Sequence, residues 1–279
     1  MVSLGPIPMP IVLLAAGLLV AAMVARAVAR RQAREASEPP VRVLSLFIDM
    51  LLVALLAGRL VFVLQWWELY RENLWSILRP GDGGYSVWAA VAAGLAFGAW
   101  RARRHAALRR PLAWGTASGL AAWSLLAGSL TVMQQAGIHL PDTQLARLEG
   151  DTVQLSGLAG EPMVVNLWAT WCPPCRREMP VLAEAQQSNP GVTFVFANQG
   201  EGAQTIRHYL AGTGLSLQNV VLDPFSSVSQ DTGSRGLPTT LFFDARGRLV
   251  DTHMGELTRA SLAHKLQRFP PAATIDPER

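Results

Sequence analysis

Cysteine is nearly absent from this sequence. Two occur in 279 residues, Cys172 and Cys175, and none precedes them. That scarcity excludes a zinc site of the usual kind, which needs four ligands, typically two cysteine pairs or cysteines joined by histidines. His139, His208, His253 and His264 are scattered without metal-ligand spacing. A purely structural staple is also disfavoured, because closing a two-residue loop removes little entropy from the unfolded chain. Charge is scarce too: 16% of residues are charged, against about 25% in ordinary soluble domains. No charge precedes Arg26, which argues against a cleaved signal peptide, whose apolar core follows a positive segment. Beyond His139 there is no basic excess, with 14 acids against 11 bases. A nucleic-acid partner would need a basic face on the folded domain, so nucleic acid is excluded.

The net charge of +4 therefore comes from two short clusters. Residues 26–42 hold five arginines and two glutamates, and residues 101–110 hold five arginines and no acid. Around them lie four apolar segments, 11–25, 43–67, 85–100 and 112–133. A spanning helix needs roughly 20 apolar residues; the second and fourth segments qualify outright, the first and third with their uncharged flanks. Positive loops stay cytoplasmic. Both clusters fall in alternate loops, so both give one topology: N-terminus outside, four crossings, C-terminal domain outside. In a bacterial inner membrane, outside is the periplasm. The spacings Gly94 to Gly98 and Gly115 to Gly119 allow close helix contact. Asp49 and Arg59 lie within the second segment, about 15 Å apart along a helix, too far to pair directly with each other. For Arg59 two roles stay open, snorkelling from near a helix end or contact with a lipid headgroup.

Residues 49–104 resemble the early part of the prolipoprotein diacylglyceryl transferase family. The shared features are Gly58-Arg59 inside an apolar helix, an aromatic-rich outer loop, and Gly83-Gly84 before the next helix. That family continues with a histidine-glycine element where this chain has "YSVWAA", and its later "GNF" motif is missing. The resemblance implies a degenerate, non-catalytic relative of that membrane scaffold. A lipid-modifying or lipid-binding role through Arg59 is the alternative it leaves.

After the membrane half, strand-like and helix-like segments alternate. "PMVVNLWAT" (162–170) and "VTFVFANQ" (192–199) are near-continuous apolar runs, as in strands buried on both faces. "DTVQL" (151–155) and "NVVLD" (219–223) are further strands; 175–188, 203–214 and 257–269 are helices; 239–254 is a hairpin. This is an α/β sheet that ends in an antiparallel pair.

"WATWCPPCRREMP" (168–180) sits where a buried strand turns into a helix. Cys172 falls at the helix start, where free N–H groups and the dipole favour a thiolate. Pro173 and Pro174 suit a first turn that can spare the missing donors. Cys175 lies one turn on, within disulfide reach. A redox pair follows, with Cys172 as nucleophile and Cys175 resolving the mixed disulfide.

"VVNLWATWCPPCRREMPVL" with "GLPTTLFFDARGRLV" resembles the TlpA/ResA group of thioredoxin-fold proteins across about 140–270. The resemblance implies a thioredoxin fold in which Pro180 kinks the active-site helix. Pro238 is the cis-proline facing the cysteines, and the Leu237 backbone pairs with the substrate strand. Glu178 matches the family's active-site glutamate, a proton acceptor for the buried thiol; the rival reading is a solvated helix carboxylate. Asn166 stands where thioredoxin carries a buried aspartate. Trp168 and Trp171 are expected to pack around the site, Trp171 beside the sulfur.

These readings give an α/β thioredoxin fold (139–279) joined to an all-α four-helix transmembrane region (1–138). The expected activity is that of a membrane-anchored periplasmic thiol-disulfide oxidoreductase. It uses no cofactor or metal beyond the Cys172–Cys175 disulfide. The resemblance implies a reductase of disulfide-containing periplasmic clients, for example in cytochrome c maturation; a thiol oxidase or isomerase would use the same residues. The carriers of that pathway hold cysteines inside the membrane, and residues 1–171 hold none. The implied electron donor is a separate membrane protein, and the lipid bilayer is the remaining partner.

Overall fold

The computed structural model describes residues 3–4, 7–36, 42–71, 73–78, 82–133, 138–267 and 269. Residues 134–137, within the composition break expected at 134–142, lie outside the described residues, as do 270–279. The chain forms two compact units. One comprises residues 1–68 and 84–135; the other joins the loop segment 69–83 to residues 136–279.

The first unit is built on four long helices, α1 (Met9–Ala36), α2 (Val43–Gln65), α3 (Val87–Arg104) and α4 (Arg109–Met133). Helix α1 packs on α4, and α2 on α3. Small residues carry both contacts. Ala21, Ala25 and Ala29 are the buried face of α1. A Cβ on Gly119 would stand 2.7 Å from the Ala21 Cβ and 2.9 Å from the Gly17 carbonyl oxygen, so no side chain fits there. Gly98 meets Met50 in the same way. Both glycine pairs seen in the sequence thus work as contact surfaces. Helix α2, 23 residues long, is long and apolar enough to cross a membrane. The Arg59 Nη1 donates to the Gly84 carbonyl at 2.8 Å, and its guanidinium lies 5.6 Å from the Tyr85 ring centre.

The second unit holds a seven-stranded sheet: β1 (Gln144–Arg147), β2 (Thr152–Gln154), β3 (Met163–Trp168), β4 (Thr193–Gln199), β5 (Val220–Asp223), β6 (Thr239–Phe243) and β7 (Leu249–Met254). The spatial order is β2-β1-β5-β4-β3-β6-β7. Strands β3, β4 and β5 run parallel and all other neighbours antiparallel. Helices α5 (Pro173–Ser188), α6 (Ala203–Thr213), α7 (Ser227–Asp231) and α8 (Arg259–Leu266) complete it. This is the thioredoxin-like arrangement expected from the resemblance; β1 and α7 are additions that short, weakly patterned stretches do not announce.

All six residues of β3 are buried, because successive side chains alternate between two covered faces. Val164 and Trp168 join Phe194, Phe196 and Phe242 beneath α5, while Met163, Val165 and Leu167 face Val195, Leu241 and Phe243 on the other side. Helix α5 closes the first face with a stripe of Cys175, Glu178, Met179, Leu182 and Ala183, the i, i+3, i+4, i+7, i+8 spacing of a core-facing helix. One member of that stripe is a carboxylic acid.

Candidate active site

The strand-to-helix turn places the cysteines. Cys172 is the N-cap of α5 in extended backbone, and Pro173 and Pro174 begin the helix. Cys172 and Cys175 form a disulfide, with Cα atoms 5.3 Å apart. The Cys175 N–H donates to the Cys172 sulfur at 3.3 Å, so a backbone dipole is already aimed at the atom that must carry charge when the pair opens. Cys175 is fully buried, and Cys172 retains only 3% of its surface; an incoming sulfur can meet only Cys172. Pro180 lies inside α5 as expected.

Leu237–Pro238 is a cis peptide. Pro238 directly precedes β6, and Leu167 pairs with Thr239 across the antiparallel β3–β6 ladder. The end of β3 that leads into the cysteines and the start of β6 therefore lie side by side at one end of the sheet. Trp168 is fully buried, its ring 5.5 Å from that of Tyr209. Trp171 corrects the expectation that both tryptophans pack: it is 67% exposed, because it follows the end of β3 in the turn before the helix. A cavity of about 300 Å³ beside the helix start is lined by Pro173, Arg176, Arg177, Tyr209 and Thr213.

Glu178 has no exposed surface, which removes the reading of a solvated carboxylate. Its Oε1 accepts from Asn166 Nδ2 at 2.8 Å, and its Oε2 accepts from the Leu257 N–H at 2.9 Å. Asn166 Nδ2 also donates to Thr240 Oγ1 at 3.0 Å. Burial pushes the Glu178 carboxyl up to about 8; the Leu257 and Asn166 bonds pull it back only in part, and the nearby Glu256 charge pushes the same way as burial. Glu178 is thus protonated through most of the neutral range and ionises just above it.

Several residues that shape the site carry no sequence signal. Glu201 receives the N–H and the hydroxyl of Thr170, and the Asn198 amide at 2.8 Å, so it clamps the turn two residues before Cys172. Thr240 and Leu257 hold the Asn166–Glu178 pair from strands and loops 74 and 79 positions away in sequence. Such separations defeat any local pattern. The one available signal was Glu178 itself, an acid in the apolar stripe of an amphipathic helix.

The geometry suits two-electron thiol chemistry with one gated proton. Among the described residues, no three His, Cys, Asp or Glu side chains converge as a metal site.

Comparison with known proteins agrees. The Redoxin family model matches residues 135–266, and the prolipoprotein diacylglyceryl transferase model matches residues 2–130. The thiol-disulfide oxidoreductase ResA of Halalkalibacterium halodurans is 31% identical over 143 residues, covering 50% of this chain and 81% of that protein. ResA of Bacillus subtilis is 29% identical over 140 residues, covering 50% and 78%. A solved thiol:disulfide interchange protein of the thioredoxin family from Chlorobium tepidum aligns with a TM-score of 0.42 at 24% identity, over 47% of this chain and 94% of that one.

Proposed function

We propose, for a chain that belongs to the ResA family of thiol-disulfide oxidoreductases, that it works as a membrane-anchored reductase of client disulfides outside the cytoplasm. The observation that carries this reading is one helix face bearing a nearly inaccessible Cys172–Cys175 pair and, one turn on, a buried carboxyl poised near 8.

In the reduced protein the Cys172 thiolate attacks one sulfur of a client disulfide. The client S–S bond breaks, a mixed disulfide forms, and one client sulfur leaves as thiolate. Where Glu178 is ionised, a fraction that grows as pH rises towards 8, the Cys175 thiol then passes its proton to that carboxylate and attacks the Cys172 sulfur. The second client sulfur leaves, the client has gained two electrons, and the Cys172–Cys175 disulfide is restored. Leu237 and cis-Pro238 supply the backbone edge along which a client strand lies, and exposed Trp171 meets it beside the sulfurs. Asn166 orients Glu178 and takes no proton itself, since an amide does not titrate.

The apolar residues of the first unit support anchoring. Leu44, Leu56, Leu60, Leu64, Trp88 and Leu125 are all exposed, and clustered exposed apolar side chains mark a membrane or partner surface. The arginine clusters at 26–42 and 101–110 support a multi-pass topology in an inner membrane with the redox domain in the periplasm. The disulfide formed by apocytochrome c thiols is one client class that fits a reductase in that compartment. Because residues 1–171 hold no cysteine, electrons come from a separate membrane protein with its own intramembrane thiols.

Cys175→Ser in the full chain should trap clients as mixed disulfides on Cys172, and capture of none argues against the enzyme reading. The reduction potential decides direction: a value well below that of periplasmic oxidants supports a reductase, and a value near them makes the protein an oxidase or isomerase.

A further inference from the structure

The loop between α2 and α3 is built into the redox unit. Tyr70 and Asp82 are each only 1% exposed. Asp82 Oδ2 accepts from the Tyr70 hydroxyl at 2.9 Å and from Thr258 Oγ1 at 3.1 Å. Gly83, at φ +70°, lies so near the His253 ring that a Cβ would stand 3.3 Å from its Cε1. A loop that merely linked two membrane helices would have no need of a buried acid and a left-handed glycine fitted against the edge strand of the redox sheet.

The Thr258 hydroxyl donates to Asp82 Oδ2. Its lone pairs are then left for the Ser261 N–H, received at 3.2 Å. Ser261 Oγ in turn accepts from the Thr258 N–H at 2.9 Å and donates to the Thr258 carbonyl at 3.1 Å. This closed capping box starts α8 and immobilises the backbone at 258. On the other side, Glu256 is tied to Arg177 at 2.8 Å. Between these two fixed points lies Leu257, whose N–H reaches Glu178.

We propose that Tyr70 and Asp82 of the membrane loop are positioning residues for thiol-disulfide exchange, holding Thr258 and hence the Leu257 N–H against the Glu178 carboxylate. The membrane region then contributes part of the proton site rather than an anchor alone. The inference rests on Glu178 being the proton acceptor. The groups facing Glu178 are Asn166 from β3, Glu256 and the Leu257 N–H from the β7–α8 segment, and Cys175 on the same buried face of its own helix; Arg177 is turned to Glu256. His253 and Asp82 stand behind Thr258 and Gly83.

The test uses the full chain in lipid nanodiscs. Reduced protein is reoxidised by oxidised glutathione, and the rate is followed against pH. The parent should show an inflection near 8, set by Glu178. Loss of the Leu257 donor disfavours the carboxylate, so Asp82→Ala and Tyr70→Phe should move that inflection upward, Asp82→Ala by about half a unit or more and Tyr70→Phe by less. A merely structural role would lower the melting temperature and leave the inflection in place. Tyr70→Phe keeps its ring and serves if Asp82→Ala does not fold. The proposal is overturned if every folded variant keeps the parent inflection. If Glu178→Gln also keeps it, the proton-acceptor reading itself has failed and the inference falls with it.

Discussion

The two units of this chain fill their contacts differently. In the helical unit Ala21, Ala25, Gly94 and Gly98 are buried alongside Phe47, Met50 and Phe62, while many other large residues face outward, Leu56 at 71% and Trp88 at 87% exposed. In the redox unit Trp168, Phe194, Phe196, Phe242 and Phe243 are inside. In water, apolar area is removed from solvent at about 25 cal/mol per Å², so the largest side chains go to the core. In lipid that drive vanishes between helices, and close backbone approach decides packing. One chain thus carries two patterns of burial.

The polar residues follow the same division. Arg59 finds a backbone carbonyl inside its own unit. Glu178 sits in a core where its charge is penalised but its hydrogen bonds are complete on both oxygens. A buried polar group is tolerated when it is bonded, and it becomes useful when its ionisation lies near the working pH.

The sharpest way to break the comparison is to truncate one large residue on each side. Phe194→Ala should destabilise the redox unit by about 3–5 kcal/mol, whereas Leu56→Ala, whose side chain trades one apolar contact for another, should change stability in lipid by under about 1 kcal/mol. Chemical denaturation in nanodiscs reads both; equal losses would show that Leu56 is packed against protein. Next, Gly119→Val drives a side chain into Ala21 and the Gly17 carbonyl and should lower helical-unit stability by about 1–3 kcal/mol, leaving Cys172 reactivity intact.

Glu178→Gln should act through pH. A carboxyl raised from 4.5 to about 8 binds more protons in the folded chain than in the unfolded one across that window. Stability therefore falls as pH rises through it and levels off above 8. His253, lowered by burial and then by the Lys265 charge from 6.5 to about 4, does the reverse: the unfolded chain binds more protons there, and stability rises with pH up to 6.5. Between 6.5 and 8 Glu178 acts without this opposition. The parent should lose on the order of 2 kcal/mol across that interval, and Glu178→Gln should flatten the slope in urea titrations of the oxidised protein. Smallest is Thr258→Ala, which removes the cap of α8 and should destabilise by about 1 kcal/mol; a much larger loss would show that the Asp82 bond contributes more than capping.

What the residues alone determined was everything with a short period or a rigid chemical meaning. The apolar runs marked the helices, the two-faced strands marked the central sheet, and "CPPC" at a strand-to-helix turn marked the reaction centre. The cis geometry at Pro238 came only through family resemblance, since it has no local signature, and the glutamate's role came through resemblance with one local mark, an acid in the apolar stripe of its helix. Tertiary structure alone decided that Trp171 is exposed, that Asn166 and Glu178 are bonded partners, and that Arg59 is held by Gly84. It also brought Asp82 to Thr258, 176 positions away. The physical reason is one of range. Hydrophobic periodicity is a property of neighbours along the chain, whereas a hydrogen bond between buried polar atoms needs both partners folded into place, and nothing in either local stretch names the other.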